Sequence, residues 1–135
     1  MHTYQFELKT KAHGAMINIT SQVRELLAES NVKEGLLTVF CPHTTAAITI
    51  NENADPDVID DMLTQLDHMV PWRQPFYSHS EGNSAAHVKS SMFGASETVP
   101  VKEGKLVMGV WQAIYFCEFD GPRNRKCIVN ILGQK

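Results

Sequence analysis

The chain has 135 residues, of which 43% are hydrophobic and 20% charged, and its 12 Lys plus Arg against 15 Asp plus Glu give a formal net charge of −3. This is the balance of one ordinary globular domain spanning residues 1–135, long enough to bury a core without disulfide or structural-metal support. It lacks the basic composition of a general nucleic-acid binder, has no stretch of the ~20 apolar residues that cross a membrane, and opens on MHTYQFELKTK with no apolar leader. A cytoplasmic protein with neither nucleic-acid nor membrane partner is therefore expected.

Tyr4, Phe6 and Leu8 alternate with polar residues and predict a half-buried strand. A second strand is expected over Met16 to Ile19, and Thr20 or Ser21 then offers an N-cap to a helix running to Ser30. Leu36 to Cys41 is rich in β-branched and aromatic residues and predicts a buried strand, interrupted by Pro42. Another strand follows from Thr45 to Glu52. Asp55-Pro56 marks a helix start, and Ile59, Met62, Leu63, Leu66, Met69 and Val70 repeat at helical spacing until Pro71.

The stretch from Trp72 to Asn83 reads as an ordered loop, and Ser84 caps a short third helix closed by Gly94. Three strands then follow: Glu97 to Val101, a long one from Lys105 to Phe119 with a bend permitted at Gly109, and Arg125 to Leu132. The order of elements predicts an α+β fold, with a largely antiparallel sheet system, two main helices and one short helix. Cys41, Cys117 and Cys127 contain no CxxC pair, so three buried free thiols are expected. If the DGPRN turn makes a hairpin, Cys117 and Cys127 face each other across strands.

Polar residues gather in four places: His43, Thr44 and Thr45; Asn51, Glu52, Asp55 and Asp57; His79, Ser80, Asn83 and His87; and Glu118, Asp120, Arg123 and Arg125. His43, His79 and His87 each follow a loop or proline break. Convergence would make a three-histidine set with an open position, as catalytic zinc uses, and magnesium is the other divalent candidate. The competing reading is three unrelated histidines with local hydrogen bonds. Asp55 and Asp57 read as helix caps. Arg123 and Arg125 carry the planar fork that matches phosphate, or else form a solvated turn with Asp120. Glu52 shares a strand face with Ile48 and Ile50, which suits an acid–base role through desolvation. The chain carries no GxSxG, P-loop or dinucleotide fingerprint.

The segments HTTAAITINENADPDV, His79 to His87, SSMFG and GVWQAIYFCEFDGPRNR together resemble the YjbQ family, described as secondary thiamine-phosphate synthases. The resemblance extends from INIT to the C-terminal INILGQ. It implies a compact α+β subunit, a homotrimer, and an activity, usually regarded as weak or secondary, that joins a pyrimidine diphosphate to a thiazole phosphate and releases pyrophosphate. Motif by motif, it points to His43, Thr44, Thr45, Asn51, Glu52, His79, His87, Gln112, Glu118 and Arg125. Among these and the clusters above, His43, Glu52 and Glu118 are the catalytic candidates. Thr44, Thr45, Asn51, Asn83, Gln112, Arg123 and Arg125 are the substrate-binding candidates. Many family members have Asp-Ile-Thr where this chain has Asn18-Ile19-Thr20.

Three readings follow: a transferase acting on a phosphorylated small-molecule substrate, a metal-dependent hydrolase using the histidines, and a non-catalytic trimer that binds a small metabolite. Gln112 and Glu118 lie about 20 Å apart on an extended strand, and His43 and Asn51 about 27 Å. The polar residues therefore fall into two groups at opposite strand ends. A homotrimer could join them at its interfaces, bringing Glu118 or Arg125 of one chain to the histidines of the next.

Overall fold

The computed structural model covers residues 1–135. In chain order it contains β1 (His2–Lys9), β2 (Ala15–Asn18), α1 (Thr20–Ser30), β3 (Glu34–Phe40), β4 (Ala46–Glu52), α2 (Pro56–Met69), α3 (Ser84–Phe93), β5 (Ser96–Lys102), β6 (Lys105–Leu106), β7 (Gln112–Glu118) and β8 (Asn124–Gln134). The strands form two antiparallel sheets. One has five strands in the order β1-β8-β3-β5-β6, and the other has three in the order β2-β7-β4. The α+β class and its antiparallel character are as the sequence predicts.

Alternation places the core. Leu37, Val39, Val99, Cys127, Val129 and Ile131 project from the five-stranded sheet toward Ile48, Ile114 and Phe116 of the three-stranded sheet. Ile19, Val23 and Leu27, at and within α1, pack into the same cluster. The other face of the three-stranded sheet presents Ala47, Ala113, Tyr115 and Cys117, which pack with Leu66 of α2 and Ala86 of α3. Because β7 is covered on both faces, its sequence is an unbroken apolar run rather than an alternating one. No helix is long and apolar enough to cross a membrane.

Four local expectations are corrected. The segment from Lys105 to Phe119 is not one strand: it breaks between β6 and β7, where the Gln112 side chain accepts the Gly109 N–H at 2.7 Å. The DGPRN turn does not join paired strands but carries the chain from one sheet to the other. Cys117 and Cys127 consequently sit in different clusters as free buried thiols, and burial pushes the Cys127 pKa up to about 12. At the start of α1 it is Asn18 whose side chain accepts the Thr20 N–H, at 3.0 Å, while Thr20 Oγ1 accepts the Ile114 N–H. Asn83, not Ser84, occupies the cap position of α3. The start of α2 is as expected, with Asp55 Oδ1 accepting the Asp57 N–H at 2.9 Å and Pro56 in the first turn.

Candidate active site

Two strand ends meet at the turn between β7 and β8. Glu118 closes β7 and Arg125 is the second residue of β8. Their side chains are 0% and 4% exposed. Arg125 Nε donates to Glu118 Oε1 at 2.8 Å, and Nη2 makes a short second bond to Oε2. Thr10 Oγ1 donates to Oε1 at 2.7 Å and the Asp120 N–H donates to Oε2 at 3.0 Å. Burial alone would raise the Glu118 pKa. The hydrogen bonds from Arg125, Thr10 and Asp120, with the Arg125 charge, outweigh it and hold the carboxyl below its ordinary range.

Glu118 is thus a buried carboxylate with both oxygens engaged. Its side chain is fully out of solvent and lines neither the cavity shared by His43, His79 and His87 nor the groove beside it, so in place of the expected catalytic contact it has one that positions Arg125. Gly121 sits against this cluster. A Cβ there would lie 2.2 Å from the Ala12 carbonyl oxygen and 2.9 Å from both Glu118 Cγ and Thr10 Oγ1.

Arg125 Nη2 also donates to Thr45 Oγ1 at 2.9 Å and Thr45 O at 3.3 Å, which ties β8 to the start of β4. Its Nη1 has no protein acceptor. Arg123 lies nearer solvent and donates from Nε to Asp120 O and from Nη2 to Asp120 Oδ2, at 2.8 and 2.9 Å. Asn83 Nδ2 donates to the same Oδ2 at 2.9 Å, which fixes the amide orientation and leaves Asn83 Oδ1 buried without a partner. Burial raises the Asp120 pKa less than the Asn83 and Arg123 contacts lower it, so this carboxylate is also held ionised.

His43 follows the Pro42 break. Extending the β3–β8 register by two residues would put Pro42 opposite Lys126, but the paired strand has already ended. The imidazole takes over the sheet's role there: His43 Nε2 accepts the Lys126 N–H at 2.8 Å. The acceptor nitrogen carries no proton, so neutral His43 holds it on Nδ1. Burial and the Arg125 charge lower the His43 pKa.

These groups wall a cavity of about 450 Å³ that has no hydrophobic residue in its lining. His43, Arg125, Arg123, Asn83, His79 and His87 all face it, as do Thr44 and Thr45. His79 comes from the loop before α3 and His87 from its first turn and a half. Their rings meet edge to face with centroids 5.6 Å apart. A second, open groove of about 510 Å³ shares His79 and His87 and adds Phe76, Tyr77 and Val88.

The three histidines therefore do line one cavity, and they come from the same chain as Arg125 and Glu118. Arg125 thus reaches the histidine cavity within its own chain, and no neighbouring chain is needed to bring it there. The zinc or magnesium ligand set is corrected. No three His, Cys, Asp or Glu side chains gather within reach of one ion, and His43 Nε2 is held by Lys126. The residues as placed do not fit that group.

Asn51, Glu52 and Gln112 lie elsewhere. In the β4–β7 register Ala46 faces Glu118 and Glu52 faces Gln112, without a bulge between. The seven-residue strands put this second group about 20 Å from the first. Asn51 Oδ1 accepts the Glu52 N–H at 2.7 Å, and Gln112 is committed to Gly109. Neither they nor Glu52 reach the histidine cavity of their own chain. Residues not singled out from sequence are Thr10, Gly121, Phe76 and Tyr77. Thr10 meets Glu118 from 108 positions away, and no local pattern signals such a pairing.

The fold and site define a class: a two-sheet α+β domain with a polar, histidine- and arginine-walled basin at one end of the sheets. The chain belongs to the family described as UPF0047 protein YjbQ-like, whose model matches residues 4–134. It is 52% identical over 127 residues to UPF0047 protein YugU of Bacillus subtilis, covering 94% of this chain and 96% of that one. It is 46% identical over 132 residues to UPF0047 protein MJ1081 of Methanocaldococcus jannaschii, covering 98% and 95%. A crystal structure of a YjbQ/UPF0047-family protein from Clostridium acetobutylicum superposes with a TM-score of 0.93 at 51% identity, covering 96% of this chain and 99% of that one. The APE1520 protein of Aeropyrum pernix superposes with a TM-score of 0.94 at 35% identity, covering 99% and 100%.

Proposed function

We propose that the protein is a thiamine-phosphate synthase-like transferase that binds phosphorylated heterocycles in the histidine cavity. One observation carries this reading: the polar cavity and the aromatic groove share His79 and His87. A planar ring carrying a phosphate has those two requirements side by side. The ring suits Phe76, Tyr77 and the imidazole edges, and the phosphate oxygens suit the free Nη1 donors of Arg123 and Arg125.

In the condensation of a pyrimidine diphosphate with a thiazole phosphate the leaving group is pyrophosphate. The site has to stabilise negative charge that develops on the departing oxygens and to hold two reactants in line. Fixed guanidinium donors, anchored by Glu118 and Asp120, suit the first task because they need no reorganisation during the reaction. His79 and His87 are the groups able to bring a proton to the leaving pyrophosphate. His43, fixed in one tautomer by Lys126, offers Nδ1–H as a further donor.

The working unit in this reading is a homotrimer. Val110 and Trp111, beside Gln112, are 90% and 63% exposed, and Phe76 and Val88 form a second exposed apolar patch beside the histidine pair. A cyclic trimer joins unlike patches. Docking the first patch on the second would carry Gln112 and Glu52 toward the neighbour's histidine cavity. Incubating purified protein with the two thiamine precursors tests the activity: thiamine phosphate and pyrophosphate should appear together, and absence of both would refute it.

A further inference from the structure

A third cavity, of about 350 Å³, adjoins the histidine cavity. His43 and Arg125 line it as well as the histidine cavity, so the two spaces adjoin at those two side chains. Its remaining lining includes Lys9, Lys126, Asn124 and Glu7. The β1–β8 register explains the gathering: Lys9 pairs with Asn124 and Glu7 with Lys126, which puts the two ammonium groups on one exposed face at the sheet's end.

The charge balance differs between the two spaces. In the histidine cavity both arginines are already paired, Arg123 with Asp120 and Arg125 with Glu118. In the third cavity neither Lys9 nor Lys126 is within 4.0 Å of a carboxylate, so both charges are uncommitted. Glu7 is the one acid in its lining. A transferase that joins two phosphorylated molecules needs two anion-accepting spaces that meet where the reacting atoms meet.

We infer that the Lys9–Lys126 cavity is a second anion subsite, taking the phosphate monoester of the second substrate, with the two substrates meeting at the His43–Arg125 wall. This rests on the two-substrate reading above. Lys9 and Lys126 would act as point-charge partners of the phosphate, and Arg125 would face both ligands.

Calorimetric titration with inorganic pyrophosphate at low salt tests the inference without requiring turnover. The wild-type chain should bind two equivalents. The Lys9→Ala/Lys126→Ala variant should keep one, with at least a tenfold loss at the other; the Lys126 backbone N–H that holds His43 survives the change. The Arg123→Ala/His87→Ala variant should lose the complementary equivalent. Two equivalents that persist in the lysine variant, or one wild-type equivalent that is lost only in the Arg123→Ala/His87→Ala variant, overturn the second subsite and leave the histidine cavity standing. One equivalent lost only in the lysine variant supports this subsite and removes the histidine cavity as an anion site. No binding in the wild type overturns both.

Discussion

Glu118 and Arg125 stand seven residues apart in the chain and form a two-bonded ion pair that is almost wholly out of solvent. Thr10 and the Asp120 amide complete the carboxylate's hydrogen bonds, and Thr45 engages Arg125 Nη2. This arrangement ties together β1, β4, β7 and β8 at the end of the molecule where the cavities open. Taking away one partner leaves the other as a buried, uncompensated charge. Arg125→Ala should destabilise the fold by about 3–5 kcal/mol, measured by urea denaturation. A loss near the size of a surface substitution would show that the pair is not holding the strand ends.

The pH dependence of stability follows from the same cluster. His43 and Glu118 both have lowered pKa values in the folded state. For each, the unfolded chain takes up its proton at a higher pH than the folded one, so stability falls as pH falls. The His43 contribution is present above about pH 6.5, the ordinary histidine value, and is lost below it. The Glu118 contribution is lost at lower pH, as the medium passes through the ordinary carboxylate range and below. His43→Gln should flatten the first limb and leave the second. An unchanged profile between pH 7 and 5 would contradict the neutral, Lys126-bound imidazole.

Gly121→Ala should be costly although the residue makes no side-chain contact. The added methyl would meet the Ala12 carbonyl oxygen, a backbone atom that cannot swing away, as well as Glu118 and Thr10. A loss of about 1–3 kcal/mol is expected from such overpacking. Thermal unfolding read alongside Gly82→Ala, where nothing lies within 4 Å of the added carbon, separates this close approach from backbone strain, since Gly82 has φ +71°.

Trp111→Glu tests the proposed trimer. The residue is 63% exposed in the single chain, so its replacement should leave the fold of a chain intact while placing a charge in an apolar contact. Sedimentation equilibrium should show three chains per particle for the wild type and a shift toward one for the variant. A wild-type monomer, or a variant that remains a trimer, would contradict the docking of Trp111 on the Phe76–Val88 patch.

Much of the fold was legible because local chemistry decides it. The Asp55-Pro56 start of α2, the alternation through Tyr4, Phe6 and Leu8, and Gly94 at the end of α3 each act over a few residues. The break before Gln112 was less visible, because Val107, Met108, Val110 and Trp111 prolong the apolar run. The chain turns there on two bonds between the same residues, the Gly109 N–H to the Gln112 side chain and the Gln112 N–H to the Gly109 carbonyl oxygen. For the site, the clusters holding His43, His79, His87 and Arg125 were readable as polar residues without a structural duty. Which residue does what was not. Glu118 looks like a catalytic carboxylate in sequence, and only its burial against Arg125 and Thr10 makes it an anchor. Lys9 and Lys126 look like solvated surface charges until β1 and β8 are paired in register.

The most direct test of the account is the rate of thiamine phosphate formation from its two precursors, with pyrophosphate release followed in parallel, in the wild type and in His79→Ala and His87→Ala. Both histidines border the polar cavity and the aromatic groove at once. Each variant should therefore lower turnover at least tenfold while its unfolding free energy stays within about 0.5 kcal/mol of the wild type, the scale of a surface change. A wild-type protein that forms no thiamine phosphate, or turnover undiminished in both variants, would contradict synthesis at this site.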